Sequence, residues 1–189
     1  PNKIILGSAF CPPTIGHHAI VNALRTIENI DTIRLVPSGP RIDKVYALHN
    51  DIRRKLIEVF VSEFDDPRII ADFTFFDSSE QTTTLGMDQY YREKNGVSPI
   101  QVFGADVVKT METWPNSPED RRYILEQMPK IFLSRSGVEL DLSWRGNYQI
   151  LDADIPEASS TAVREHGRLD LLTTWVREVY ERLVLGRVR

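Results

Sequence analysis

Residues 7–17 bring together groups that are suited to binding phosphate. The segment contains Gly7, two adjacent prolines, the hydroxyl of Thr14 and the imidazole of His17. The glycine lets backbone approach a ligand, the prolines stiffen the loop, and the other two side chains lie next to a predicted helix N-terminus. Because such a terminus has unpaired amides and a positive dipole, it attracts phosphate. The segment therefore predicts a phosphate-binding loop.

Two common nucleotide-binding signatures are missing. The loop lacks the G-x-G-x-x-G spacing, and neither G-K-S nor G-K-T occurs anywhere in the chain. Dinucleotide-binding proteins of that type and P-loop proteins are therefore disfavoured. The neighbouring His17 and His18 point about 100° apart on a helix, so they do not form a metal clamp of the i, i+4 kind.

Strand and helix patterns alternate around this loop. Predicted strands cover residues 3–6, 32–36, 68–76, 100–103, 130–133 and 148–151, and predicted helices start near 16, at 50 or 51, at 84 and at 117, with a last apolar stripe over 172–183. The alternation predicts an α/β fold with a Rossmann-like, mostly parallel sheet and helices on both faces. We expect a single domain over residues 1–189, with a C-terminal helical part from about 156.

Composition narrows the range of partners. The 189 residues are 41% hydrophobic and 26% charged, which is typical of a folded globular chain, and the net charge of −4 gives no general attraction to nucleic acid or to an anionic membrane. Cys11 is the only cysteine, so no internal disulfide or cysteine zinc cluster can form. No apolar run approaches the ~20 residues of a membrane span. We expect a cytoplasmic protein that binds neither nucleic acid nor membrane.

Two short motifs, one near each end, resemble a known superfamily. The chain reads T-I-G-H at 14–17, preceded by G-S-x-F-x-P from residue 7, and A-S-S-T-A-V-R at 158–164. These motifs resemble the T-x-G-H and I-S-S-T-x-x-R signatures of the nucleotidyltransferases, with alanine in place of the isoleucine. The resemblance implies a fold of the nucleotidyltransferase type.

Further residues resemble one branch of that superfamily. Gly104-Ala105-Asp106 follows a predicted strand, Trp114 comes eight residues after Asp106, and R-S-G occupies 135–137. This arrangement resembles the nicotinate/nicotinamide mononucleotide adenylyltransferases. It implies an enzyme that transfers AMP from ATP to nicotinate or nicotinamide mononucleotide in NAD biosynthesis. The implied partners are these two nucleotides, and the implied cofactor is Mg²⁺ carried by ATP, without a metal site on the protein.

The resemblance also implies roles for particular residues. Thr14, His17 and Arg164 would be catalytic, with His17 donating a hydrogen bond to the α-phosphate. ATP would be bound by Gly7, Ser8, Ala9, Phe10, Gly16, Gly104, Asp106, Ser160 and Thr161. The mononucleotide would be bound by Lys44, Arg53, Trp114 and Arg135, with the pyridine ring stacked on the indole.

Two departures leave alternatives open. Thr14 stands where pyridine-nucleotide enzymes commonly have histidine, and P-x-T-x-G-H is usual in phosphopantetheine adenylyltransferases. The S-Y-T-x-D-T-L stretch of many bacterial nicotinate enzymes survives only as T-T-T-L at 82–85. The alternatives are a phosphopantetheine adenylyltransferase-like enzyme and a non-catalytic nucleotide-binding module of the same fold. The sequence also leaves open whether the protein is a homo-oligomer.

Overall fold

The computed structural model describes residues 2–41, 45–134 and 146–188. Within these ranges the strands are β1 (Asn2–Ser8), β2 (Ile30–Pro37), β3 (Ile69–Ala71), β4 (Ile100–Gly104), β5 (Lys130–Ser134) and β6 (Tyr148–Asp152). They form one sheet in the order β3-β2-β1-β4-β5-β6, and every neighbouring pair is parallel. The strand order reverses between β1 and β4, and ligands of such sheets bind in the crevice beyond the carboxyl ends at that point.

The helices connect the strands and close the chain. They are α1 (Ile15–Leu24), α2 (Asn50–Ser62), α3 (Thr84–Asn95), α4 (Ala105–Val108), α5 (Pro118–Arg122), α6 (Ser160–His166) and α7 (Thr174–Leu183). A π-helical turn, Tyr123–Gln127, continues α5, and 3₁₀ turns cover Met111–Thr113 and Leu169–Leu171. In the described part of the chain, no helix combines the length and the apolar character that crossing a membrane requires.

Helices cover both faces of the sheet. Successive strand residues point to opposite sides, so neighbouring residues of one strand pack against different helices. Ile4 and Leu6 of β1 are buried in a cluster with apolar residues of α1, α2 and α7. Ile5, between them, packs on the other face against Met87 and Tyr91 of α3. The predicted parallel α/β sheet with two covered faces is therefore confirmed.

A largely buried carboxylate fastens α3 to the sheet. Asp72, directly after β3, accepts hydrogen bonds from the Tyr91 hydroxyl at 2.7 Å and from Nη1 of Arg34 at 3.1 Å. Burial acts to raise the pKa of Asp72, but hydrogen bonds from Thr74 and Tyr91, together with the charge of Arg34, outweigh it and lower the pKa to about 2. The carboxylate is therefore ionised at neutral pH and holds β2 and α3 together.

Two local predictions need correction. The strand predicted over 68–76 covers only Ile69–Ala71, because Asp72 then turns the chain by accepting the backbone N–H of Thr74 at 3.0 Å. The helix predicted to start at 117 is α-helical only over Pro118–Arg122 before it widens into the π-helical turn. Helix α2 begins at Asn50, one of its two predicted starts, and its N-cap is the His49 ring, which accepts the N–H of Asp51 at 3.3 Å.

Candidate active site

The loop between β1 and α1 presents His17 at the carboxyl edge of the sheet. Thr14 is the N-cap of α1, and His17 lies in the first helical turn. The backbone N–H of Thr14 donates to Nδ1 of His17 at 3.0 Å, and the Thr14 hydroxyl lies 3.2 Å from the same atom. Ser8, at the end of β1, places its Oγ 3.1 Å from Nε2. The imidazole is thus held on both of its nitrogens.

The second motif meets this loop in space. The Ser160 hydroxyl donates to the carbonyl of Pro12 at 2.8 Å, across a sequence separation of 148 residues, and Nη1 of Arg164 donates to the carbonyl of Cys11. Ser159 caps α6 by accepting a backbone N–H at 3.2 Å. The two signatures, far apart in the chain, therefore form one hydrogen-bonded unit.

A glycine makes that meeting sterically feasible. A Cβ atom at Gly16 would lie 3.3 Å from the carbonyl oxygen of Pro156 and 3.3 Å from Cβ of Ala158, which is closer than ordinary van der Waals contact. The start of α1 can therefore lie directly against the segment that leads into α6. A side chain at this position would require these neighbours to shift by a few tenths of an ångström.

A pocket of about 220 Å³ opens beyond β4 and β5. This volume lies below the ~300 Å³ that is the lower end for whole small-molecule sites, so the pocket suits part of a nucleotide. Its walls combine apolar side chains with two carboxylates and a hydroxyl. They are formed by Ile20, Gly104, Ala105, Asp106, Val107, Leu133, Ser134, Ile155, Pro156 and Glu157.

Arg53 lies beneath the loop rather than on its surface. Its side chain belongs to the buried residues, at 1% exposure, and its Nη2 donates to the carbonyls of Ala9 and Ser38, each at 2.9 Å. The guanidinium carbon also lies 3.7 Å from the ring centroid of Tyr46 and 4.7 Å from that of Phe76. Burial lowers the pKa of Arg53, but an arginine stays charged. Arg53 thus ties together the loops that follow β1 and β2.

Trp114 lies after α4, outside the pocket. Its half-buried indole packs on Phe103 of β4, with ring centroids 6.0 Å apart and the planes inclined at 61°. Nη2 of Arg121 donates to the carbonyl of Trp114 at 3.1 Å and to that of Asn116 at 2.9 Å. The loop that carries the indole is thus held by the following helix, α5.

Acidic side chains are sparse around the site. Over residues 2–41, 45–134 and 146–188, no three side chains of His, Cys, Asp or Glu stand together as a metal-binding group. Asp106 and Glu157 are the carboxylates that line the pocket. One or two carboxylates suit a hard cation that arrives bound to phosphates, because Mg²⁺ keeps most of its waters and its phosphate ligands.

The structure brings most of the predicted residues to one edge of the sheet. The loop and α6 place Ser8, Thr14, His17, Ser160 and Arg164 in one hydrogen-bonded unit, and the pocket contains Gly104 and Asp106. Gly7, next to Ser8 in β1, and Thr161, next to Ser160 in α6, are exposed. Lys44 and Arg135 lie outside the described residues.

Three predicted residues are more buried than a direct ligand contact by the side chain requires. Thr14, Phe10 and Arg53 are each 1% exposed. The Thr14 hydroxyl faces the imidazole, and the Phe10 ring lies 4.8 Å from it between centroids. These side chains support the site from beneath, and their contacts with nucleotide stay predictions.

Sequence reasoning missed several pocket residues. Ile20, Leu133, Ser134, Ile155, Pro156 and Glu157 line the pocket without having been singled out. Leu133 and Ser134 end a parallel strand, and the carboxyl ends of such strands meet at one edge, so that pattern could have identified them. The remaining four come together only through tertiary packing.

The sheet order, the loop after β1 and the second motif together define a nucleotidyltransferase fold. A nicotinic acid mononucleotide adenylyltransferase from Plasmodium falciparum, solved in complex with NaAD, superposes with a TM-score of 0.80 at 16% identity, covering 100% of this chain and 99% of that one. A nicotinate-nucleotide adenylyltransferase-like structure from Vibrio parahaemolyticus gives a TM-score of 0.60 at 19% identity, covering 95% and 92%.

Curated sequences point to the same group. A probable nicotinate-nucleotide adenylyltransferase from Sulfurovum sp. is 23% identical over 97% of this chain and 94% of its own length, and one from Frankia alni is 24% identical over 92% and 84%. No protein-family model matches the chain. The resemblance seen in the motifs is thereby confirmed: the chain is similar over almost its whole length to curated nicotinate-nucleotide adenylyltransferases.

Proposed function

We propose that this chain is an adenylyltransferase that transfers AMP from ATP to nicotinate mononucleotide in NAD biosynthesis. The products are the dinucleotide NaAD and pyrophosphate. The observation that carries the proposal is the meeting of the two signatures, where Ser160 and Arg164 donate hydrogen bonds to the loop that presents His17. The names of the curated relatives support the choice of acceptor.

The reaction is a direct displacement at phosphorus. An oxygen of the mononucleotide phosphate forms a bond to the α-phosphorus of ATP, while the bond from that phosphorus to the bridging oxygen of pyrophosphate breaks. No covalent bond to the protein is needed. Since several negative charges converge, the protein must align the reactants and stabilise the charge that develops on the α-phosphate.

The loop and α6 supply the groups for this task. Nε2 of His17 donates a hydrogen bond to an oxygen of the α-phosphate. A guanidinium has five N–H donors, so Arg164 can bond the carbonyl of Cys11 and still donate to the departing pyrophosphate. Ser160 and Thr161 lie beside it on α6 and contribute hydroxyls. The implied Mg²⁺, carried on the ATP phosphates rather than on a protein site, would supply neutralisation of part of their charge.

The pocket beyond β4 and β5 takes the adenosine part of ATP. Ile20, Leu133 and Pro156 offer apolar surface to a flat base, while Asp106 can accept hydrogen bonds from ribose hydroxyls. The mononucleotide lies on the side of Arg53 and Trp114, with Lys44 and Arg135 as further predicted contacts.

The same proposal includes a single domain over residues 1–189, and the cytoplasmic location stays a prediction.

The test is pyrophosphate release from ATP with three acceptors measured separately. These are nicotinate mononucleotide, nicotinamide mononucleotide and phosphopantetheine. We expect the highest kcat/KM with nicotinate mononucleotide and NaAD as the product. A preference for phosphopantetheine would contradict the proposal in favour of the related enzyme, and binding of ATP without release from any acceptor would indicate a non-catalytic module.

Two controls make this panel decisive. ATP incubated without acceptor should leave no adenylylated protein, because the transfer is direct. Isolation of such an adduct would contradict the single displacement. His166→Ala, an exposed residue at the end of α6, should keep the wild-type rate, which shows that an added alanine in this part of the chain is tolerated.

A further inference from the structure

The hydrogen bonds of His17 determine which ring nitrogen carries the proton. The backbone N–H of Thr14 points at Nδ1 over 3.0 Å. A backbone amide nitrogen can donate a hydrogen bond but cannot accept one, so Nδ1 must present its lone pair. A neutral imidazole then has its only proton on Nε2. The helix cap thus fixes the tautomer of the ring.

This tautomer gives Ser8 a defined role. Its Oγ lies 3.1 Å from Nε2, and with the proton on Nε2 the ring is the donor and the hydroxyl is the acceptor. The hydroxyl of Ser8 keeps its own hydrogen and can donate it elsewhere. Without substrate, the hydroxyl of Ser8 therefore accepts the same Nε2–H that would bond the α-phosphate in the proposed reaction.

The contact with Ser8 is also the one that a ligand can reach. Thr14, which contacts Nδ1, and Phe10, whose ring packs against the imidazole, are each 1% exposed. Phe10 has a φ of 46°, in the left-handed region that is uncommon for a bulky residue, and this conformation places its ring against the imidazole. Ser8 and His17 are only half-buried. A phosphate oxygen can therefore replace the Ser8 hydroxyl without moving the ring.

We propose that Ser8 is a positioning residue for adenylyl transfer: it accepts Nε2–H of His17 and holds it in the direction of the α-phosphate while ATP is bound, until an α-phosphate oxygen takes its place as the transition state forms. The inference rests on the proposed function. Because the donor is aimed before substrate arrives, little reorganisation is left for the transition state. Loss of the hydroxyl should therefore lower kcat and leave KM nearly unchanged.

The first arm of the test reads the ring without any substrate. Two-bond ¹H–¹⁵N NMR spectra are recorded on labelled wild type, Ser8→Ala and Ser8→Thr at a pH of about 8, where an ordinary histidine is neutral. His17 is assigned by its absence from His17→Ala. We expect an unprotonated Nδ1 and a protonated Nε2 in all three, and a slowly exchanging Nε2–H proton in wild type and Ser8→Thr only.

The second arm is kinetic. Ser8→Ala should lower kcat about fivefold to tenfold, the value of one ordinary hydrogen bond, with KM for both nucleotides within about twofold. Ser8→Thr, which keeps the hydroxyl, should restore kcat. Ser62→Ala, an exposed helix serine bonded to the carbonyl of Val59, is the matched control and should match wild type.

Defined results would overturn the proposal. They are a proton on Nδ1, an unchanged Nε2–H signal in Ser8→Ala, an unchanged kcat, or a loss confined to KM, which would make Ser8 a direct substrate contact. If wild type releases no pyrophosphate with any acceptor, the proposed function fails, and the NMR arm still decides where the proton lies and whether Ser8 holds it.

Discussion

The loop after β1 and the segment after β4 lie at the carboxyl ends of neighbouring strands, but they are fixed by different forces. Hydrogen bonds from distant elements hold the first, since Arg53 of α2 and Ser160 and Arg164 of α6 all donate to its carbonyls. Apolar packing holds the second. Trp114 packs on Phe103 beside a buried cluster, and its polar support comes from the nearby α5.

The difference between hydrogen bonding and apolar packing matches the role that we propose for each region. Hydrogen bonds are directional, so a loop tied by several of them keeps donors aimed at a reacting phosphate to within a narrow angle. Stacking of a base on an aromatic ring tolerates displacement and has little preference for ring substituents. We therefore expect changes in the first region to act on kcat and stability, and changes in the second to act on KM for the mononucleotide.

The largest effect is expected at His17. The hydrogen bond that we propose from His17 to the α-phosphate would strengthen in the transition state, so His17→Ala should lower kcat by about 10²- to 10³-fold, as loss of an oxyanion donor does. KM for ATP should change little. The measurement is steady-state pyrophosphate release with both nucleotides varied, and a near wild-type kcat would remove His17 from the reaction.

The next largest effect should be at Arg53, in the support of the same loop. Arg53→Met leaves the carbonyls of Ala9 and Ser38 without a donor, and we expect the free energy of unfolding to fall by about 2–4 kcal/mol, since the removal of a buried charge offsets part of the loss. Urea unfolding followed by circular dichroism measures it.

Arg54→Met is the matched control on the same helix. Arg54 pairs with Asp77 at the surface, and such a pair is worth less than about 1 kcal/mol. Equal losses for the two variants would mean that the buried hydrogen bonds of Arg53 do not hold the loop. If Arg53→Met fails to fold, Arg53→Lys, which keeps the charge but not the planar fork, should show an intermediate loss.

The sequence predicted the first region better than the second. The parallel sheet follows from alternating strand and helix patterns, and the loop residues lie within one short segment, so their proximity is local. That the A-S-S-T-A-V-R motif serves the same ligand as this loop was implied only by the resemblance, and the bond between Ser160 and Pro12 was not predicted. The buried position of Arg53 was not foreseen, because a charged residue in a helix start is usually solvated and only tertiary packing reverses this.

Side-chain hydrogen bonds explain the two incorrect predictions of secondary structure, at β3 and at α5. The β-rich stretch after Arg68 forms a short strand because Asp72 is recruited into bonds with Arg34 and Tyr91, which a strand pattern does not reveal. The widening of α5 into a π-helical turn accompanies the buried Lys130, whose Nζ donates to the carbonyls of Ile124 and Met128. The hydrogen-bond partners of Asp72 and of Lys130 could not be identified from the spacing of residues in the sequence.

Trp114 tests the second region. Stacking on an aromatic ring is worth about 1–3 kcal/mol and is available in ground and transition states alike, so Trp114→Ala should raise KM for the mononucleotide about tenfold to a hundredfold. KM for ATP and kcat should change little. Trp175→Ala is the matched control, because that indole is 52% exposed on α7. Equal increases in both KM values would make Trp114 a packing residue only.

The smallest effect is expected at Arg121, which would act on the mononucleotide only through the proposed contact of Trp114. Arg121→Met removes the donors to the carbonyls of Trp114 and Asn116, and the loosened loop should raise KM for the mononucleotide about threefold to tenfold, the value of roughly one hydrogen bond. Arg122→Met, the exposed neighbour, should have no effect. Because Arg121 works through the indole, Arg121→Met should add nothing in the Trp114→Ala background, which a double-mutant cycle measures directly. Full additivity would show that the two residues act independently and that apolar packing alone holds the segment after β4.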